Sequence, residues 1–131
     1  MARLILDTTV LIDAERHGET LESLIEDEDD VAIAAVTVAE LLVGVELADA
    51  RRRPARTKYV ADVVATISVE SYDVGVARVH ARLLAHARRT GRPRGAHDLI
   101  IAATALERNR TLVSADTDAF ADLPGLSVRT A

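Results

Sequence analysis

Four carboxylates, Asp7, Glu40, Asp98 and Asp116, stand where a fold could put them to chemical use. Asp7 closes the short apolar run "RLIL", and Asp116 follows "TLVS" with one residue between. Glu40 falls in the first turn of a helix that Thr37 opens, and Asp98 begins the apolar stretch "LIIAATAL". Each has an ordinary local explanation. Asp7, Asp98 and Asp116 could cap helices. Thr37-Val38-Ala39-Glu40 spells the capping box Thr-x-x-Glu. Acids in first turns also suit the helix dipole. Their conjunction says more. In a parallel sheet all four places lie on one edge of the domain. Four carboxylates there repel, and some take up protons unless a counter-charge is present. A divalent cation removes the conflict, and hard oxygen donors select magnesium or manganese. Such an ion lowers the pKa of a bound water and stabilises charge on a phosphate. Two ions about 3.5–4 Å apart clamp the attacking and leaving oxygens.

Rival chemistries fit poorly. A haloacid-dehalogenase-like phosphatase requires Asp-x-Asp after its first strand, and Thr9 occupies the second acid's place. A response-regulator receiver requires an early acidic pair and a late lysine, and neither is here. His17, His80, His86 and His97 lack the His-Glu-x-x-His spacing of a zinc protease. His97, beside Asp98, is the only one that adjoins the acids in sequence. No Gly-x-Ser-x-Gly elbow occurs. Cysteine is absent, which removes disulfides, thiolate nucleophiles and zinc-finger sites.

The elements that must position the acids are legible as alternating strands and helices. "RLILD" reads as a buried strand, and "TTVLIDAERHG" as a helix stopped by Gly18. Thr20 to Glu28 predicts a short amphipathic helix, and the acid run Glu26 to Asp30 a solvated turn. "VAIAAV" predicts a second strand, and Thr37 opens a helix to about Ala50. "RRRPARTK", Arg51 to Lys58, is a basic connector whose Pro54 fits the first turn of a helix reaching about Ile67. "SVESYD" is a third strand or extended link. Val74 to Thr90 is a helix closed by Gly91, with Val76, Val79, Leu83 and Ala87 as its apolar stripe. After the loop "GRPRG" come a buried helix from Asp98 to Asn109, the strand "TLVS", a short helical turn in "ADTDAFADLPG", and a final strand "LSVRT". This alternation, with runs too apolar for a one-sided sheet, predicts an α/β fold: a three-layer α/β/α sandwich around a mainly parallel sheet, in one domain over residues 1–131.

Composition bounds the function. The chain has 131 residues, a net charge of −5 and 2% aromatics. An aromatic base-stacking platform and a generally basic nucleic-acid surface are thereby excluded. No signal peptide is visible, and Glu40 and Glu46 interrupt the longest apolar stretch. The expectation is a soluble cytoplasmic protein with no membrane partner.

"LILDTTVLID", "TVAELLVGVELA", "HDLIIAATAL" and "TLVSADTDAFADLPGL" follow one another in the order and rough spacing of the PIN-domain ribonucleases. The chain resembles most closely the VapC toxins of bacterial toxin–antitoxin pairs. That resemblance covers essentially the whole chain. It implies an α/β/α sandwich and metal-dependent cleavage of RNA, with Mg²⁺ as cofactor or Mn²⁺ in its place. It carries over Asp7, Glu40, Asp98 and Asp116 as the acidic quartet, with Asp7 and Asp98 as direct metal ligands. Glu40 and Asp116 would hold metal-bound waters or a second ion, with Asp118 the alternative to Asp116. Thr9 matches the hydroxyl residue that supports the first acid from behind. His97 stands where many relatives have Asn. The resemblance also implies a cognate antitoxin of the VapB type, an RNA substrate such as transfer or ribosomal RNA, and a homodimer.

Two other functions use the same residues. One is a PIN fold that no longer cleaves and serves only as an interaction module; the intact quartet speaks against it. The other is a metal-dependent phosphatase or DNA nuclease, since the 2′-OH alone distinguishes RNA. For substrate contact, Arg92 and Arg94 in "GRPRG" stand within a few residues of Asp98 and are candidate RNA-binding residues. Arg78, Arg82 and Arg89 fit an ordinary solvated helix face.

Overall fold

The computed structural model describes residues 1–25 and 28–131. Its strands are β1 (Arg3–Leu6), β2 (Asp30–Ala34), β3 (Ser68–Glu70), β4 (Thr111–Ser114) and β5 (Val128–Thr130). Its helices are α1 (Thr8–Arg16), α2 (Leu21–Leu24), α3 (Ala35–Glu46), α4 (Arg53–Thr66), α5 (Val74–Arg89) and α6 (Ala96–Glu107). A 3-10 turn spans Thr117–Phe120. The strands form one sheet in the order β3-β2-β1-β4-β5, and every neighbouring pair is parallel.

Side-chain alternation builds the three layers. Leu4 and Leu6 of β1 face one side with Val31, Ile33 and Val113, under Leu11 of α1, Leu41 and Val45 of α3, and Val60 and Val63 of α4. Ile5 faces the other side with Ala34 and Leu112, under Val76, Val79 and Leu83 of α5, Leu99 and Ile101 of α6, and Phe120. Each fully buried aliphatic or aromatic side chain contributes about 1.5–3 kcal/mol. The stripe expected on α5 is its buried face, residue for residue. Gly18 (φ 66°) and Gly91 (φ 65°) terminate α1 and α5 in the left-handed conformation that glycine adopts without strain.

Several boundaries differ from the sequence expectation, among them the end of α3, at Glu46 and not about Ala50. The helix expected from Thr20 to Glu28 ends at Leu24, with Thr20 capping the Ser23 N–H. Of the acid run, Glu26 and Asp27 lie outside the described residues, and Asp30 already belongs to β2. The helix expected to open at Thr37 opens at Ala35, because Ala34 is the last extended residue. Thr37 is therefore inside the first turn and fully buried, and it caps nothing. The helix expected from Asp98 starts at Ala96, so Asp98 is its third residue. Among the described residues, no helix is long and apolar enough to cross a membrane.

The order of strands sets the place of the site. Chain order runs outward from β1 through β2 to β3, then crosses back to place β4 on the other side of β1. The reversal leaves a crevice between the carboxyl ends of β1 and β4, the usual ligand position in open α/β sheets.

Candidate active site

Asp7 leaves the end of β1, and Asp116 lies two residues beyond β4, so both flank this crevice. Glu40 comes in on α3, which leaves β2 directly, and Asp98 on α6, which leads back to β4. All four expected acids converge here. The carboxyl of Asp98 is held above the usual carboxylate range, chiefly by burial and then by the charges of Asp7, Glu40 and Asp116, with His97 opposing. Asp116, and not Asp118, is among the acids whose charge Asp98 feels.

Capping consumes none of these side chains, although Asp98, in the first turn of α6, does suit the helix dipole. Asp7 and Asp116 occupy capping positions, yet neither side chain accepts a capping hydrogen bond. Asp98 lies inside α6, and Glu40 lies beyond the first turn of α3 with no cap to close.

Hydroxyl groups hold the acids instead. Asp7 is 2% exposed, and its Oδ2 accepts from Thr9 Oγ1 and from Ser114 Oγ, both at 2.8 Å. The same hydroxyls take backbone N–H groups: Ser114 Oγ accepts from Asp116 at 2.9 Å and Thr9 Oγ1 from Ala115 at 3.3 Å. This ties the segment carrying Asp116 to the carboxylate of Asp7. Across the site, Thr8 Oγ1 donates to Glu40 Oε1 at 2.8 Å and lies 3.0 Å from the buried hydroxyl of Thr37. A hydroxyl has one proton to give, so Thr37 donates to Thr8 and Thr8 to Glu40. His97 Nδ1 approaches Glu40 Oε2 at 3.6 Å. Gly95 also matters, because a Cβ there would stand 2.8 Å from Asp98 Oδ2.

Thr9 thus occupies the supporting place expected of it. Ser114, Thr8 and Thr37 were not expected. The available signal was a hydroxyl residue directly after the first acid, one ending an otherwise apolar strand, and one three residues before Glu40.

Arg92 and Arg94 have another occupation. Arg92 Nη1 is paired with Asp122 Oδ2. Arg94 donates to the carbonyls of Asp118 at 3.1 Å, Ala119 at 3.4 Å and Ala121. The loop's arginines strap it to the 3-10 turn, Arg94 through the carbonyls at its end and Arg92 through Asp122.

The donor set fits a hard divalent ion. It offers carboxylate oxygens only, crowded enough that their mutual repulsion is felt at Asp98. Among the described residues, no three carboxylate or imidazole groups close around a single point. An ion held here by two carboxylates keeps most of its shell in water, as Mg²⁺ prefers.

Known proteins share this architecture. Residues 4–126 match the PIN domain family. The ribonuclease VapC5 of Mycobacterium tuberculosis is 38% identical over 121 residues, 92% of this chain and 87% of that protein. The crystal structure of VapBC-5, from the same organism and described as a member of the VapBC family of toxin–antitoxin systems, superposes with a TM-score of 0.77 at 34% identity, covering 99% of this chain and 98% of that one. The Rickettsia felis VapBC2 structure, bound to a DNA fragment from its promoter, superposes at 0.89 with 20% identity and 98% coverage of both chains, a likeness of fold. The chain belongs to the PIN-domain family, and within it stands with the VapC-type ribonucleases.

Proposed function

We propose that the protein is a Mg²⁺-dependent endoribonuclease, with Mn²⁺ able to replace Mg²⁺, and that it is the toxin of a toxin–antitoxin pair. The observation that carries this reading is the convergence of Asp7, Glu40, Asp98 and Asp116 at the β1–β4 crevice, with none of them spent on a cap. The 38% identity to a VapC ribonuclease supports RNA as substrate, and the likeness to VapBC-5 supports a small VapB-type antitoxin as partner. The whole chain acts as one unit, in the cytoplasm where RNA and antitoxin meet it. The reading includes a homodimer, for which α3 and the residue that ends it offer the exposed apolar side chains Leu42, Val43 and Leu47.

In this reading Asp7 and Asp98 hold the ion. An ion bound there would supply an acidified water and positive charge for cleavage of a phosphodiester. Thr9 and Ser114 hold Oδ2 of Asp7, which leaves Oδ1 as the oxygen for the ion. Glu40, anchored at Oε1 by Thr8 and with His97 3.6 Å from Oε2, would use Oε2 to orient a water. Asp116, placed by the Ser114 hydroxyl, does the same from the β4 side.

The direct test is cleavage of single-stranded RNA and DNA of one sequence, with Mg²⁺ and with EDTA. RNA cut only with Mg²⁺, and DNA left whole, is the expected outcome. Cleavage of both would replace the reading with a general nuclease, and cleavage of neither would leave a binding module. Metal binding also has a readout without substrate. At an Mg²⁺ concentration ten times its dissociation constant, the folded state should gain about 1.4 kcal/mol. Thermal unfolding should then shift upward by about 3–6 °C in the wild type and by far less in Asp98→Asn.

In cells, induction of the wild-type chain alone should stop growth. Co-expression of the antitoxin encoded beside it, or the Asp98→Asn substitution, should restore growth. Normal growth with soluble wild-type protein and no antitoxin would remove the toxin assignment.

A further inference from the structure

The basic connector Arg51 to Lys58 has no part in the acidic site, yet the fold brings much of its charge to that site's border. One hollow, about 160 Å³, is lined by Ile12, Arg16, Glu40, Gly44 and Arg56, among others. A second, about 470 Å³, is lined by Glu15, Arg16, Arg51, Arg52 and Arg56 with Ala55. The two share Glu15, Arg16 and Arg56, so they form one groove running from Glu40 to the amino end of α4.

Local structure explains only part of this charge. Arg53 reaches the last carbonyls of α3, at Val45 (3.2 Å), Glu46 (3.4 Å) and Ala48 (2.7 Å). Arg56 donates to Gly44 O at 3.1 Å. Both complement the negative end of the α3 dipole. Arg51 and Arg52 do not. They sit just before α4, at the positive end of its dipole, and its first turn contains no acid. Cations there are disfavoured. Among the described residues, no carboxylate pairs with Arg16, Arg51 or Arg52, and unlike the similarly unpaired arginines of α5 these three line one hollow. Arg16, Arg51 and Arg52, all exposed, thus share one hollow with a single carboxylate, Glu15, in a chain whose net charge is −5. An anion relieves their repulsion, and the planar guanidinium fork matches phosphate oxygens.

We infer that this groove carries the RNA backbone, with Arg16, Arg51 and Arg52 contacting phosphates on one side of the scissile bond. The inference deepens the nuclease reading, from which it takes its substrate class. A polyanion drawn toward four carboxylates needs positive charge beside them. The groove supplies it from Glu40 outward, whereas Arg94 is held by the carbonyls at the end of the 3-10 turn and Arg92 is paired with Asp122.

The test uses the full chain with Asp98→Asn, so that RNA is bound without being cut. Binding of a short fluorescein-labelled single-stranded oligoribonucleotide is followed by anisotropy across a salt series. Adding Arg16→Gln, Arg51→Gln and Arg52→Gln together should flatten the slope of log K against log salt by about 2.1, and weaken binding about a hundredfold at 0.1 M salt. The charge-matched control Arg78→Gln, Arg82→Gln and Arg89→Gln, on exposed positions of α5, should leave the slope unchanged. Arg56 is kept, because it holds α3. Arg16→Gln alone, expected to flatten the slope by about 0.7, guards against a folding defect in the triple variant. An unchanged slope in the triple variant, or equal flattening in the control, overturns the track. So does a polyglutamate peptide that binds in an arginine-dependent way while the RNA does not; the groove is then a peptide site. Cleavage by the wild-type protein, with Mg²⁺ and with EDTA, is read separately, so failure of the nuclease reading and failure of the track are distinguishable.

Discussion

Asp98→Asn is expected to reduce RNA cleavage at least a thousandfold or so while leaving the protein folded. Losing an outer partner of a metal ligand typically costs about 10–100-fold, and Asp98 is proposed as a ligand itself. The same substitution should raise, not lower, the stability of the metal-free protein. Burial and the charges of Asp7, Glu40 and Asp116 hold the Asp98 carboxyl above the ordinary aspartate value of 3.8. Between that value and the raised one, the native state binds more protons than the unfolded state. The contribution of Asp98 to the stability of the metal-free wild type therefore falls as pH rises from about 3.8 through this window, then levels off. Asn has nothing to titrate, so its advantage should be absent in acid and complete at neutral pH. Denaturant melts at several pH values, in EDTA, check the sign; a variant less stable at neutral pH would show that Asp98 is held by favourable partners. Asp7→Asn should lose cleavage to the same degree, since an amide oxygen still accepts from Thr9 and Ser114 but the charge is gone.

The sheet was readable in the sequence because its strands are short apolar runs whose alternate residues feed two cores. Leu4 and Leu6 go one way and Ile5 the other. The ends of α1 and α5 were readable because Gly18 and Gly91 have a local reason to be glycine. The four acids were readable because their places relative to strand and helix ends are local facts, which parallel topology turns into proximity. What escaped depends on partners far along the chain. Thr37 carries the signal of a helix cap, but its distance of 29 residues from Thr8 hides their contact. Ser114 looks like filler at the end of "TLVS" until the register pairs Leu6 with Val113 and sets Ser114 beside Asp7. Arg92 and Arg94 look free because only their neighbours in sequence are visible, and the carbonyls that claim Arg94 lie 24 to 27 residues further on.

Arg110→Met is expected to be the most destabilising of the substitutions discussed, by about 2–4 kcal/mol, with cleavage retained wherever the protein is folded. Arg110 precedes β4, at the amino end of the sheet and away from the acids, and its side chain is 5% exposed. Nη1 donates to Leu4 O at 3.2 Å, Asp30 O at 3.0 Å and Asp30 Oδ1 at 3.0 Å, and Nη2 donates to Glu70 Oε1 at 3.0 Å. One guanidinium thus joins β1, β2 and β3 at once. Methionine fills similar space but donates nothing, which leaves two carbonyls and two carboxylate oxygens without their partner. Breaking a buried ion pair by removing one member costs about 3–5 kcal/mol. Two features reduce that here. Asp30 keeps Arg3 at 2.7 Å, and Glu70 keeps Arg108 at 2.8 Å, so neither acid is left alone. Arg110 Nε has no acceptor among the described residues, so the native arrangement already carries one unmet donor that methionine abolishes. The net loss corresponds to a melting temperature lower by about 8–16 °C. Arg3→Met is the matched control, because its pair with Asp30 is 46% and 35% exposed and should be worth no more than about 1 kcal/mol. Equal losses in the two variants would mean that solvent reaches Arg110 and that the network does not clamp the sheet.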